Sequence, residues 1–145
     1  MKVLLQRVSR AKVEVAEQTV GAIEQGLLLF IAIEQHDTLE QLSRMAQKIL
    51  NYRVFSDGQG KMNLSVRDIK GGDLAISQFT LAAETTKGLR PSFSKGAHPD
   101  DAKRLYEQFL QILRTEHTPI EQGIFAADMQ VSLTNDGPVT FMLQL

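Results

Sequence analysis

Two separated motifs carry the groups best suited to chemistry. The first, Ser77-Gln78-Phe79-Thr80-Leu81, places two hydroxyls and an amide at the end of an apolar run. The second, Asn135-Asp136-Gly137-Pro138-Val139-Thr140, reads as a turn between two strand-like runs. At the first, the Thr80 hydroxyl is a candidate nucleophile toward an acyl group, and the N–H groups of Phe79 and Thr80 are candidate stabilisers of an oxyanion. The commoner role for a threonine at a strand end is bonding to neighbouring backbone, since threonine is enriched in strands. At the second, turn formation alone accounts for Asn135 to Pro138. An X–Pro bond is cis in only about 5–6% of cases, so the sequence by itself favours trans.

A threonine nucleophile needs a base, and this chain is poor in bases. Its three histidines are His36, His98 and His117. The first stands beside a helix start, the second precedes Pro99 in a loop, and the third follows a helix. None has the surroundings of a Ser–His–Asp triad, and together they form no metal-binding cluster. Cysteine is absent. That excludes disulfides, thiolate catalysis and cysteine-held zinc or iron–sulfur centres, and it fits a reducing compartment. Activation of an attacking group must therefore come from elsewhere, the substrate being one source. Arg7 is suited to donating hydrogen bonds to the carbonyls of another loop, or else is a surface charge. Phe125 and Met129 flank Ala126-Ala127-Asp128. They are either core residues or the walls of a slot for a flat base. Lys87, Arg90 and Lys95 either contact phosphates or form a solvated basic loop.

The elements that must hold these groups follow from periodicity. Lys2–Val8, Lys12–Val15 and Gln18–Gln25 read as strands. The unbroken apolar run Leu27–Ile33 suits a strand buried on both faces. Asp37 is expected to cap a helix, with Glu40 completing a capping-box-like pair, and Leu39, Leu42, Met45, Ala46, Ile49 and Leu50 fall at helical spacing. Tyr52–Phe55 is strand-like, residues 56–60 form a turn, and Asp73–Leu81 is a strand entering the first motif. Glu84–Pro99 reads as a long ordered loop, a class that is often functional. Pro99, Asp100 and Asp101 suit a second helix start, with Ala102, Leu105, Tyr106, Phe109, Ile112 and Leu113 as its apolar stripe. Ile120–Glu121, Met129–Thr134 and Val139–Leu145 read as strands. Many strands with two helices indicate an α+β fold with largely antiparallel sheets.

At 145 residues and 43% hydrophobic content, the chain can bury one core without staples, so residues 1–145 are expected to form one domain. No run suits a bilayer-spanning helix. Met1–Arg10 contains Arg7 and Arg10 and lacks the uninterrupted apolar region of a secretory signal, so a cytoplasmic location is expected. The net charge of −1 argues against general coating of nucleic acid and confines any RNA contact to one face or to terminal nucleotides. The apolar strands leave edges or faces that a dimer would cover.

Six segments strengthen one another in combination: Leu5–Ala11, Gly60–Ser65, Ser77–Leu81, Arg90–Phe93, Gly123–Val131 and Asn135–Thr140. In order and spacing they resemble the D-aminoacyl-tRNA deacylases, the D-tyrosyl-tRNA deacylase family, over essentially the whole chain. The resemblance implies a cytoplasmic homodimer of the deacylase fold that needs no cofactor or metal. It implies hydrolysis of the ester joining a D-amino acid to the tRNA 3′ end, and removal of glycine mischarged on tRNA-Ala. Ser77, Gln78, Phe79 and Thr80 would line the catalytic site. Gly137–Pro138 would be cis and enter the active site of the other subunit, its carbonyls holding the substrate's α-amino group, while Arg7 orients the loop. Phe125 and Met129 would hold the terminal adenine. The long loop departs from the family pattern: Thr86 and Leu89 stand where basic residues are common, and Ala82-Ala83 where a tyrosine or similar residue often occurs. Two other readings compete. One is a nucleic-acid-binding module without catalysis, which the near-neutral charge disfavours. The other is a small-molecule esterase or amidase using Thr80, for which the sequence supplies no base.

Overall fold

The computed structural model describes residues 1–145. In chain order its elements are β1 (Lys2–Val15), β2 (Gln18–Ile23), β3 (Gly26–Ala32), α1 (Leu39–Leu50), β4 (Phe55–Ser56), β5 (Met62–Leu64), β6 (Gly72–Ser77), a 3-10 turn (Phe79–Ala82), α2 (Pro99–Glu116), β7 (Ile120–Gln122) and β8 (Gln130–Gln144). The main sheet runs β2-β1-β3-β6-β7, with β8 also paired to β1. A small β4–β5 hairpin stands apart from it. Pairings of β1 with β2, β3 and β8 are antiparallel, whereas β3–β6 and β6–β7 are parallel. Each parallel step needs a crossover, and α1 and α2 lie in those two connections. The fold is thus α+β with mixed, antiparallel-dominated sheets.

The two strands expected at Lys2–Val8 and Lys12–Val15 are one strand of 14 residues. Its first half pairs with β3, its second half with β2, and nearly its whole length with β8. That threefold pairing carries the backbone straight through Ser9 and Arg10. The apolar run is buried on both faces: Leu27, Leu29 and Ile31 join the larger core, while Leu28 joins a smaller cluster with Val8, Val13, Leu74 and Ile76. The helices supply the other half of the larger core through Leu42, Met45, Ile49 and Leu50 of α1 and Leu105, Tyr106, Phe109 and Leu113 of α2. Leu39, expected in the α1 stripe, is exposed at its first turn.

Three local readings are corrected. The α1 cap is Thr38, whose hydroxyl accepts from the Gln41 N–H while the Gln41 side chain accepts from the Thr38 N–H. Asp37 is occupied elsewhere, accepting from the Glu34 N–H and from the Met1 ammonium. The expected strand Asp73–Leu81 ends at Ser77, and Thr80 lies in the 3-10 turn beyond it. Asn135–Pro138 does not reverse the chain. It is a bulge within β8, where Arg7 alone stands between the pairs Gln6–Thr140 and Val8–Asn135, opposite Asp136 to Val139. The Gly137–Pro138 peptide is cis, as is Thr118–Pro119.

Burial of Asp73 was not legible from the sequence. It lies near the start of the interior strand β6, in register with Leu27 on β3 and Ile120 on β7. Neither carboxyl oxygen has a hydrogen-bond partner. Burial alone pushes its pKa up from 3.8 to about 8. The folded state therefore binds a proton that the unfolded chain releases near pH 4. This contribution to stability is complete below about pH 4 and is lost as the pH rises toward 8. Relative to an Asp73→Asn variant, the wild type should lose about 1.4 kcal/mol per pH unit between pH 5 and 7 and level off above pH 8. Denaturant titrations of both proteins at several pH values check this; parallel curves would show that Asp73 ionises normally.

Candidate active site

The last residues of β6 and the turn beyond it form one side of a pocket of about 630 Å³. Its walls are mainly apolar. Ile31 and Ile76 come from the sheet, Ile33 from the residue just beyond β3, Ala102 and Tyr106 from α2, Phe93 and Ala97 from the long loop, and Phe125 to Met129 from the segment between β7 and β8. The sheet places Ser77 and Gln78 at the pocket because β6 is the inner of the two parallel steps, and the Gln78 N–H donates to the Ile31 carbonyl as the strand ends. The chain then tightens into the 3-10 turn. The Phe79 ring is exposed and tilts against the Phe93 ring, with centroids 5.0 Å apart.

Gln78 precedes this turn but makes no capping bond through its side chain. Its amide instead donates to the Thr80 hydroxyl oxygen at 2.6 Å. That leaves the Phe79 and Thr80 N–H groups, in the first turn, without a side-chain cap or an intrahelical acceptor. Thr80 itself is exposed and is not among the pocket-lining residues. No histidine lines the pocket. His98 instead caps α2, and His117 contacts the Gly71 carbonyl. No group of three His, Cys, Asp or Glu side chains assembles into a metal-binding cluster.

Phe125 and Met129 do line the pocket, and Phe125 also touches the Tyr106 ring. Between them the chain turns tightly: Ala126 has φ +61°, and the Ala127 N–H donates to the Ile124 carbonyl. Gly123 lies behind Met129. A Cβ there would stand 2.5 Å from the Met129 sulfur, so the absence of a side chain at 123 is what allows the thioether its place. The Tyr106 hydroxyl is spent on the Ala75 carbonyl, and burial pushes its pKa further above the usual phenol value. The sequence reading missed Gly123, Asp128 and the apolar contribution of the long loop. The signals were a glycine directly after a short strand, a carboxylate beside two apolar candidates, and Phe93 among polar neighbours.

Gly137, Pro138 and Arg7 lie outside this pocket. Gly137 and Pro138 are exposed on the β8 bulge. Arg7 is largely buried beneath it, donating from Nε to the Asp136 carbonyl at 3.0 Å and from Nη1 to the Val54 carbonyl at 2.6 Å. The Asn135 side chain stiffens the bulge from within, accepting from the Val139 N–H and donating to the Thr140 hydroxyl. In the long loop, Lys95 is engaged with Glu84, whose carboxyl is held down at about 2 by Lys95 and Thr86. Lys87 and Arg90 lie exposed at the loop's tip, without ion-pair partners.

An α+β frame carrying a mainly apolar pocket edged by a hydroxyl and an amide suits binding of an apolar group beside a polar, reactive one. Comparison makes this specific. The family described as D-Tyr-tRNA(Tyr) deacylase matches residues 4–144. A protein of Saccharophagus degradans named D-aminoacyl-tRNA deacylase is 63% identical over 145 residues, covering both chains completely. One of Alcanivorax borkumensis with the same name is 59% identical, again over both complete chains. The solved structure of a c-Myc DNA unwinding element binding protein is 41% identical, covers 100% of this chain and 99% of its own, and superposes with a TM-score of 0.96. A probable eukaryotic D-amino acid tRNA deacylase, 17% identical over 98% of this chain and 97% of its own, shares the fold at a TM-score of 0.84. The chain belongs to the D-aminoacyl-tRNA deacylase family, hydrolases of the ester bond of aminoacyl-tRNA.

The bulge makes a prediction independent of activity. Gly137 has φ +132°, a region L side chains rarely adopt, and a Cβ would stand 2.7 Å from a Val139 methyl and 3.0 Å from Arg7 Nη2. Gly137→Ala should cost about 2 kcal/mol of stability by thermal or denaturant unfolding. An unchanged melting temperature would show that the bulge yields freely.

Proposed function

We propose that this chain is a homodimeric proofreading esterase that hydrolyses D-aminoacyl-tRNA, and glycine mischarged on tRNA-Ala, while rejecting L-aminoacyl-tRNA. Family membership carries the ester chemistry. The observation that carries the finer reading is the separation of the two motifs. Gly137 and Pro138 are exposed, rigidly supported and absent from their own chain's pocket. They are thus available to a second copy. Two further features support pairing: β8 is a long strand hydrogen-bonded to β1 alone, and Val20, Phe30, Val131 and Leu133 are only partly covered over the smaller cluster.

In this reading Phe125 and Met129 hold the terminal adenine of the tRNA. The carbonyls of Gly137 and Pro138 from the other subunit hold the α-ammonium, and Arg7 keeps them in place. The N–H groups of Phe79 and Thr80 hold the ester carbonyl as charge develops on it. With two substituents fixed, only the hydrogen and the side chain exchange places between enantiomers. An L side chain meets the Gly–Pro backbone and a D side chain points outward. Selectivity by exclusion tolerates many D side chains and does not reject glycine. It acts in the cytoplasm, where charged tRNA is found.

Water is the attacking group. Thr80 lacks a base, and its oxygen already accepts from Gln78. Ser77 and Gln78 serve to shape the site, and the ribose hydroxyl next to the ester assists the attack. The test is hydrolysis of D-tyrosyl-tRNA and L-tyrosyl-tRNA by the wild type and Thr80→Val, with and without chelator. Rapid loss of the D form alone is expected, unaffected by chelator and within about 10-fold in the variant, since the lost interaction is one hydrogen bond. Equal treatment of the enantiomers would overturn the selectivity argument. Complete inactivity of folded Thr80→Val would restore it as the nucleophile.

A further inference from the structure

Two phenylalanine rings stand uncovered where the pocket opens. Phe79 is 65% exposed and Phe93 43% exposed, with ring centroids 5.0 Å apart at 55°, and both line the pocket. The loop that carries Phe93 is firmly held. Glu84 and Ser92 exchange both backbone hydrogen bonds, and the Ala97 N–H donates to the Ile33 carbonyl. Gln35, beyond β3, donates from its N–H to the Lys95 carbonyl and from its side chain to the Ser94 carbonyl. The Glu84–Ser92 bridge closes off residues 85–91, and this tip carries Lys87 and Arg90. Lys95 is taken by Glu84, whereas neither Lys87 nor Arg90 has an ion-pair or hydrogen-bond partner in the chain. Arg90 is three residues from Phe93, so their Cα atoms lie within about 11 Å of each other. The nearby carboxylates Asp100, Asp101 and Asp128 belong to other segments, α2 and the β7–β8 connection. A chain of net charge −1 thus sets two unpaired cations on the same loop as an exposed ring of its pocket.

Aromatic faces next to unpaired cations are the two components of single-strand nucleic-acid grooves: the rings stack bases and the cations follow the phosphates. We propose that the long loop is a track for the single-stranded RNA leading to the reactive end, with Phe79 and Phe93 stacking the base before the terminal adenosine and Lys87 and Arg90 binding backbone phosphates. This rests on the reading that Phe125 and Met129 hold the terminal base and that the Phe79 N–H faces the ester. The Phe79 ring then stands one residue's width from the reacting carbonyl, on the side where the preceding nucleotide must leave. The track reads no sequence, because every base has a π-face and every nucleotide a phosphate. Its four side chains take no part in the chemical step, so their loss acts on KM.

The test uses D-tyrosyl-tRNA minihelices, all ending in adenosine, whose penultimate position is cytidine, uridine or an abasic ribose. For the wild type the abasic substrate should raise KM about 10-fold, the scale of one base stack, while uridine changes it less than about 2-fold. In Phe93→Leu the ratio between abasic and cytidine substrates should fall toward one. In Lys87→Ala/Arg90→Ala that ratio should persist, while the slope of log KM against log salt falls by about 1.4, about 0.7 for each phosphate contact. A wild type indifferent to the abasic position would overturn the stacking ledge, as would an equal penalty in Phe93→Leu. A salt slope unchanged in the double variant would overturn the phosphate contacts. If a second copy of the chain covers the rings instead, Phe93→Leu shifts the oligomeric state in sedimentation and the abasic penalty is absent, which also overturns the track. Failure of the deacylase reading itself shows separately, as a cytidine minihelix that the wild type leaves intact.

Discussion

One guanidinium fixes the geometry on which the rest depends. Where β1 and β8 lose register, Arg7 alone faces the stretch from Asp136 to Val139, and its hydrogen bonds reach both the Asp136 carbonyl and the Val54 carbonyl before β4. The planar fork of arginine spans these two acceptors from one buried side chain, which a lysine ammonium cannot do with the same rigidity. Below it, β1 is held on three fronts by β2, β3 and β8. The bulge is thus an exposed feature set on the most heavily paired strand of the molecule. It is a rigid projection built from backbone, suited to excluding a shape.

The pocket follows a different logic. It sits beyond the carboxyl ends of the parallel strands β3 and β6, where α/β connections leave room for a ligand. Its walls are contributed by four separate segments. Its polar groups are few, and the Gln78 amide is already engaged with the Thr80 hydroxyl outside the pocket. Such a site binds and orients better than it transfers protons. That suits a reaction in which the substrate is an activated ester with its own neighbouring hydroxyl.

Much of this was legible in the sequence. The central strand announced itself through an unbroken apolar run, and both helices through their stripes. Phe125, Met129, Ser77, Gln78 and Phe79, named from sequence, share one pocket. Other features depend on partners distant in the chain. Thr38 displaced Asp37 as the cap because the Met1 ammonium and the Glu34 N–H draw the aspartate away. Asn135–Pro138 has the composition of a reversing turn, yet continuous pairing with β1 on both sides carries the chain through as a bulge. Asp73 opens a strand in the sequence and is fully buried in the structure, since its burial is decided by β3 and β7 flanking β6. Sequence periodicity reports local faces, and it is silent about the neighbour that covers them.

The central claim is that an Arg7-braced backbone projection, rather than a side chain of the pocket, sets chirality. The most direct measurement is the ratio of D-tyrosyl-tRNA to L-tyrosyl-tRNA hydrolysis by Arg7→Ala, in protein shown to be folded. Loosening the bulge should admit the L side chain, so the account predicts that the ratio falls, with L hydrolysis rising in absolute rate. Loss of D hydrolysis with an unchanged ratio would mean that Arg7 serves only the fold and that selectivity resides elsewhere.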